Sequence, residues 1–149
     1  MCSSTNVEYV TIAFVNQSPE NVKHTNYPGT NFAGHCAGYT YKVNGESSNL
    51  LSGCTEIKED ISKCQEMGIK VLLSIGGQFD AGANYTISTP EKGQEFADFL
   101  WYAFGPYDPS WTGPRPFDLD DTHRSKVDGF DIDVEKKFGK FLHCLLMSS

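Results

Sequence analysis

The ten residues from Lys126 to Glu135 (Lys-Val-Asp-Gly-Phe-Asp-Ile-Asp-Val-Glu) constrain the fold more than any other stretch. From Phe130 onward apolar and acidic residues alternate, which fits a strand, because strand side chains point to opposite faces with a period of two. Asp131, Asp133 and Glu135 then share one face, and Phe130, Ile132 and Val134 share the other. Same-face neighbours stand about 7 Å apart, so three ionised acids repel unless a proton, a cation or a hydrogen-bonding ligand sits among them. At least one carboxyl of such a row is expected to have a raised pKa, as a general acid working near neutral pH requires. The apolar face needs a cover, so the strand is expected in a packed sheet, and acids in series on a buried strand point to a functional site.

Upstream, Tyr9 to Val15 is β-branched and aromatic with almost nothing polar, as suits a strand covered on both faces. Asn16 to Ser48, rich in Asn, Gly, Pro and Tyr, reads as a long irregular loop. Ile57, Ile61, Cys64 and Met67 recur at helical spacing between a capping Thr55 and a terminating Gly68. Ile69 to Ile75 supplies the next strand and runs into Gly76-Gly77, where the chain can turn sharply or a ligand can approach the backbone. Thr89 and Pro90 open a second helix, whose Phe96, Phe99, Leu100, Ala103 and Phe104 line one side until Gly105. Pro106 to Ser125 is too interrupted by proline for regular structure. The acidic strand follows, and Lys136 to Ser149 has the spacing of a further amphipathic helix through Phe138, Phe141, Leu142 and Leu145. Strand, helix, strand, helix, strand makes an α/β parallel sheet, in which ligands sit at the carboxyl ends of the strands. Gly76-Gly77 and the acids ending at Glu135 are therefore expected in one region.

With 19 acidic against 12 basic residues the formal charge is −7, which argues against a nucleic-acid or anionic-membrane partner. The apolar runs, such as Val71 to Ile75, are far too short to span a bilayer. Met1 to Val10 lacks the features of a secretory signal, yet five cysteines suit an oxidising compartment. Asn16-Gln17-Ser18 and Asn84-Tyr85-Thr86 fit the glycosylation acceptor pattern. A divalent metal on the acidic row, with Asp118, Asp120, Asp121 and His123 recruited to it, is a minor alternative, because octahedral sites draw ligands from several elements. The four histidines have no metal-ligand spacing, so no metal ligand is assigned. Ser74 lacks a nucleophile elbow and reads as a packing or hydrogen-bonding residue.

Two motifs together resemble a known family, the glycoside hydrolase family 18 chitinases of the plant and fungal class III type. Ser74-Ile75-Gly76-Gly77 is similar to the family's Ser-x-Gly-Gly at the end of the third barrel strand, and Asp128 to Glu135 to its Asp-Gly-x-Asp-x-Asp-x-Glu on the fourth. Further similarity runs through Asn31 to Cys36 and Arg115-Pro116-Phe117, so the resemblance covers Cys2 to Glu135. It implies endo-acting hydrolysis of β-1,4-linked N-acetylglucosamine polymers, with chitin or a chitooligosaccharide as partner and no cofactor. Glu135 carries over as the general acid, Asp133 as the residue orienting the substrate's acetamido group, and Asp131 as the one sharing a proton with Asp133. The family belongs to the substrate-assisted exceptions among retaining glycosidases, so no enzyme nucleophile is sought. Phe14 and Gly77 become candidates for sugar contact. The class III arrangement implies disulfides Cys2–Cys64 and Cys36–Cys54, where sequence alone allows three connectivities, and it implies an extracellular destination.

A family barrel closes eight strands in about 250 residues. This chain holds what resemble strands two to four, so the expectation is a partial (β/α)8 TIM barrel. Residues 1–149 then form a single incomplete catalytic domain, truncated at both ends, with 136–149 as an out-of-family tail. The isolated chain is expected to be inactive. The alternative is a non-catalytic, chitin-binding or carbohydrate-binding chitinase-like lectin.

Overall fold

The computed structural model describes residues 2, 6–22, 25–78 and 85–135. Along the chain lie β1 (Tyr9–Gln17), β2 (Gly29–Thr30), β3 (Ala37–Val43), β4 (Glu46–Gly53), α1 (Thr55–Glu66), β5 (Lys70–Gly77), α2 (Pro90–Phe104) and β6 (Gly129–Val134). The main sheet has the order β2-β1-β5-β6. Its three long strands are parallel, as alternation with helices dictates, but β2 pairs antiparallel to β1. The expected wholly parallel sheet is thus corrected to a mixed one, because the chain doubles back after β1 before it reaches the first helix.

The region expected as an irregular loop contains a second sheet, the hairpin β3–β4. Asn44 and Gly45 form its two-residue turn with φ of 52° and 86°. That pair of left-handed residues matches the twist of the flanking strands, and Asn-Gly supplies it at little steric cost. Leu50 of β4 is fully buried in the core, while the Leu51 amide donates to Thr30 Oγ1 at 2.9 Å, so the hairpin is fastened to the main sheet's edge.

α1 is preceded by Cys54, which caps it without a side-chain bond, so Thr55 is its first residue rather than its cap. At the other end the Ile69 amide reaches the Cys64 carbonyl at 3.0 Å across Gly68, whose φ of 77° permits the reversal. α2 starts as its sequence implies, with Thr89 Oγ1 accepting from the Lys92 amide at 3.3 Å and Pro90 in the first turn. Ile57, Ile61 and Cys64 of α1 and Phe96, Leu100, Ala103 and Phe104 of α2 are buried in one cluster with Ile12, Leu73 and Ile75. Phe130 and Ile132 pack against the same cluster. By the alternation of the pleat, the other face of the sheet carries Ala13, Ser74, Gly76, Asp131 and Asp133, which sit opposite one another in register.

The connector before β6 is irregular, as expected, but it is held by a buried ion pair. Arg115 donates to Asp118 through Nε and Nη2, both at 3.1 Å, and caps the end of α2 through Nη1 on the Tyr102 and Gly105 carbonyls, both at 2.8 Å. Its Nη2 also reaches the Ser125 carbonyl at 2.6 Å. Val127 then bonds to Phe104 and Asp128 to Val71 through backbone, which delivers β6 in register.

The disulfides are Cys2–Cys64 and Cys36–Cys54, the pairing implied by the resemblance. They bracket α1, one just before its first turn and one in its last. Replacing Cys36 and Cys54 together by Ala opens a loop of sequence separation 18, and is expected to cost about 3 kcal/mol on the chain-entropy scale. A urea titration reads this as a lower midpoint with the Cys2–Cys64 bridge intact.

Candidate functional site

β6 sets out the acidic row. At its foot Asp128 accepts from the Val71 amide and Gln65 Nε2, both at 2.9 Å, and from Lys70 Nζ at 3.4 Å. Burial alone would raise this carboxyl, but those hydrogen bonds outweigh it and hold it below its ordinary value. Asp128 therefore ties α1, β5 and β6 together. Next on the inner face, Asp131 accepts from Ser74 Oγ at 2.7 Å, so Ser74 is a hydrogen-bonding residue. Asp133 lies opposite Gly76 and is exposed, and Glu135 follows the last residue of β6 and is exposed as well.

The two glycines at the end of β5 are required by conformation and by space. Gly76 has φ of 130° and Gly77 of 84°. A Cβ on Gly76 would overlap the Asp133 carbonyl, and one on Gly77 would press on the Phe14 ring at 3.0 Å. Phe14 bulges out of the β1–β5 register and exchanges backbone bonds with Asn31 instead, at 2.8 and 2.9 Å. Phe14 and Gly77, with Ala13, Asn16, Asn31, Gly76 and Gln78, line an open cavity of about 540 Å³ at the carboxyl ends of β1 and β5. None of the three acids lines it; Asp131 and Asp133 stand on the neighbouring strand and Glu135 just past its end. A Gly76→Ala substitution is expected to cost about 2 kcal/mol, since an added methyl must push β6 away. A lowered melting temperature, with Gly34→Ala as a control where nothing stands within 4 Å, checks it.

One residue of this region escapes the sequence reading. Tyr85, which figures there only inside a glycosylation triplet, is 2% exposed, and its hydroxyl donates to the Gly76 carbonyl. Burial above all, and then the charges of Asp133 and Glu135, push its phenol up to about 12. Both acids thus lie within Coulombic reach of a single hydroxyl. An isolated aromatic in a polar stretch is the faint signal that could have pointed to it. Asn84 itself and the tail helix expected over 136–149 lie outside the described residues.

The acids offered for a metal are committed elsewhere. Asp118 pairs with Arg115 and Arg124, Asp120 accepts from Thr122 and bonds His123, and Asp121 pairs with Arg124. Among the described residues, no group of three or more His, Cys, Asp or Glu is placed to hold a metal ion. No helix among them is long and apolar enough to cross a membrane.

A Ser-x-Gly-Gly strand hydrogen-bonded to a strand bearing alternate acids is the geometry against which known proteins can be compared. The family model described as "Glycosyl hydrolases family 18" matches residues 2–147. The chain belongs to glycosyl hydrolase family 18. Within the family it is 44% identical over 139 residues to Endochitinase 2 of Coccidioides posadasii, covering 91% of this chain and 15% of that protein. It is 44% identical over 141 residues to Endochitinase A of Aspergillus niger, covering 93% of this chain and 11% of that one. Among solved structures, the ICChI chitinase of Ipomoea carnea superposes with a TM-score of 0.65 at 26% identity, over 93% of this chain and 41% of that chain. The XAIP-II xylanase and alpha-amylase inhibitor protein of Scadoxus multiflorus superposes with a TM-score of 0.64 at 25% identity, over 97% and 42%. The chain thus spans less than a fifth of the length of these fungal family members and under half that of the solved ones.

Proposed function

We propose that this chain carries the catalytic strand of an endo-acting hydrolase of β-1,4-linked N-acetylglucosamine polymers. The observation that carries the reading is the register of β5 with β6, which sets Asp131 on Ser74 and Asp133 on Gly76, one step from Glu135. The match of the family model and the endochitinase relatives support it. In this reading Glu135 gives its proton to the glycosidic oxygen as the bond from C1 to that oxygen breaks. The substrate's acetamido carbonyl oxygen closes onto C1 from the opposite face, so the sugar supplies its own nucleophile and the enzyme forms no covalent bond. Asp133 orients that acetamido group and balances the positive charge of the oxazolinium-like intermediate. Asp131, held by Ser74, shares a proton with Asp133, which reduces the repulsion along the row. Water then attacks C1 with Glu135 accepting its proton as the bond from C1 to the acetamido oxygen breaks, which restores the acetamido group and retains the configuration. Phe14 and Gly77, in the wall of the adjoining cavity, are the proposed sugar contacts. Two disulfides and the endochitinase relatives favour an extracellular destination.

The test compares this chain with a version extended by family sequence of one of its relatives, each given chitohexaose, with cleavage read by mass spectrometry and the anomer first released read by proton NMR. The extended form is expected to cleave it and release products of retained configuration, and the 149-residue chain to leave it intact. Tight binding without cleavage by the extended form would replace the hydrolase with a carbohydrate-binding protein, and neither binding nor cleavage would remove both readings.

A further inference from the structure

We infer that Tyr85 is a positioning residue for the acids of β6, acting through the Gly76 peptide. Its ring is buried and its O–H is committed to the Gly76 carbonyl. Gly76 is the residue of β5 that pairs with Asp133, with no room for even a methyl group between its α-carbon and the Asp133 carbonyl. Whatever fixes the Gly76 peptide therefore fixes the backbone from which Asp133 and, two residues on, Glu135 project. Gly76, with φ of 130°, adopts a backbone conformation open to glycine, which has more conformational freedom to lose on folding than any other residue. A buried side-chain donor on its carbonyl adds a restraint to the pairing of β5 with β6.

The direction of the bond adds a second effect. Since the phenol proton points to the backbone, the phenol oxygen can offer the neighbouring acids only lone pairs. The raised phenol, with Asp133 and Glu135 among its causes, is the electrostatic counterpart of that closeness. Tyr85 thus acts on the acids through their backbone, without itself touching substrate.

The kinetic arm of the test rests on the hydrolase reading; the spectroscopic arm does not. In the cleaving form, Tyr85→Phe keeps the ring and removes the donor. It is expected to lower kcat about tenfold, a misplacement effect, with KM within twofold. In the chain as it stands, tyrosine labelled at Cζ with carbon-13 gives a resonance assigned to Tyr85 by its loss in Tyr85→Phe. At neutral pH that resonance is expected to move in Glu135→Gln and in Asp133→Asn while the other tyrosine signals hold still. An unchanged kcat in a folded Tyr85→Phe protein, or a Tyr85 resonance indifferent to both acid substitutions, overturns the inference. If no form cleaves chitohexaose, the hydrolase reading falls and the resonance alone decides the role of Tyr85.

Discussion

A Glu135→Gln substitution in the cleaving form is expected to slow hydrolysis of chitohexaose about 10²- to 10⁴-fold, the range that a positioned proton donor contributes. Glutamine has nearly the shape of glutamate and no proton to give, and Glu135 is exposed just past the end of β6, so the fold has little stake in it. The loss should therefore come with an unchanged melting temperature. An aryl chitooligoside tightens the test, because its leaving group departs with less help from an acid, and its kcat/KM should fall much less. Equal losses on both substrates would mean that Glu135 does something other than protonate the leaving oxygen. Asp128→Asn should show the opposite pattern, weakening the fold while sparing chemistry, because that carboxylate binds backbone and side chains of α1 and β5.

Breaking the ion pair under α2 is the largest stability effect expected. Arg115→Met leaves Asp118 in a setting where its side chain is 6% exposed, and strips the Tyr102, Gly105 and Ser125 carbonyls of their donor. Removing one partner of a buried pair costs about 3 to 5 kcal/mol, which a urea midpoint reads directly. The same node predicts a pH dependence. Burial works to raise the Asp118 carboxyl, but hydrogen bonds from Arg115, Arg124 and the Ser125 amide prevail and hold it below its ordinary value. A carboxyl depressed by folding contributes stability above its unfolded value, near pH ~4, and loses it as pH falls through the folded value. Stability should drop with acid below about pH 4, and Asp118→Asn should flatten that drop while lowering the plateau at neutral pH.

The parts of the fold legible in sequence were those set by local periodicity. The strand of alternate acids, both helices with their glycine or proline boundaries, and the glycine pair at the end of β5 all lie where spacing places them. The hairpin was within reach, since Asn44-Gly45 is a strong turn signal, but the surrounding Gly, Tyr and Ser masked the weak alternation of β3 and β4. The antiparallel β2, only Gly29–Thr30, has no periodicity to read at all. In the site, the acids and glycines were visible because one motif holds each set. Tyr85 was not, because its bond to the Gly76 carbonyl joins residues nine apart in sequence with no periodic element to signal it. The Arg115–Asp118 pair shows the same limit: two charges three residues apart look like surface decoration until the end of α2 is placed above them.

β6 serves two masters with alternate residues, the core on one side and the acidic row on the other. Sliding it by one position would turn Ile132 toward the face of the acids and sink an aspartate into the apolar cluster, so a misaligned strand would lose the core and the acidic row together. Evolution and engineering alike then have little latitude on this strand, because gains in one property are hard to trade for losses in the other. Room to adapt lies at a distance, on the exposed side of α1 around Glu59 and Lys63, where sequence can drift without reaching either face.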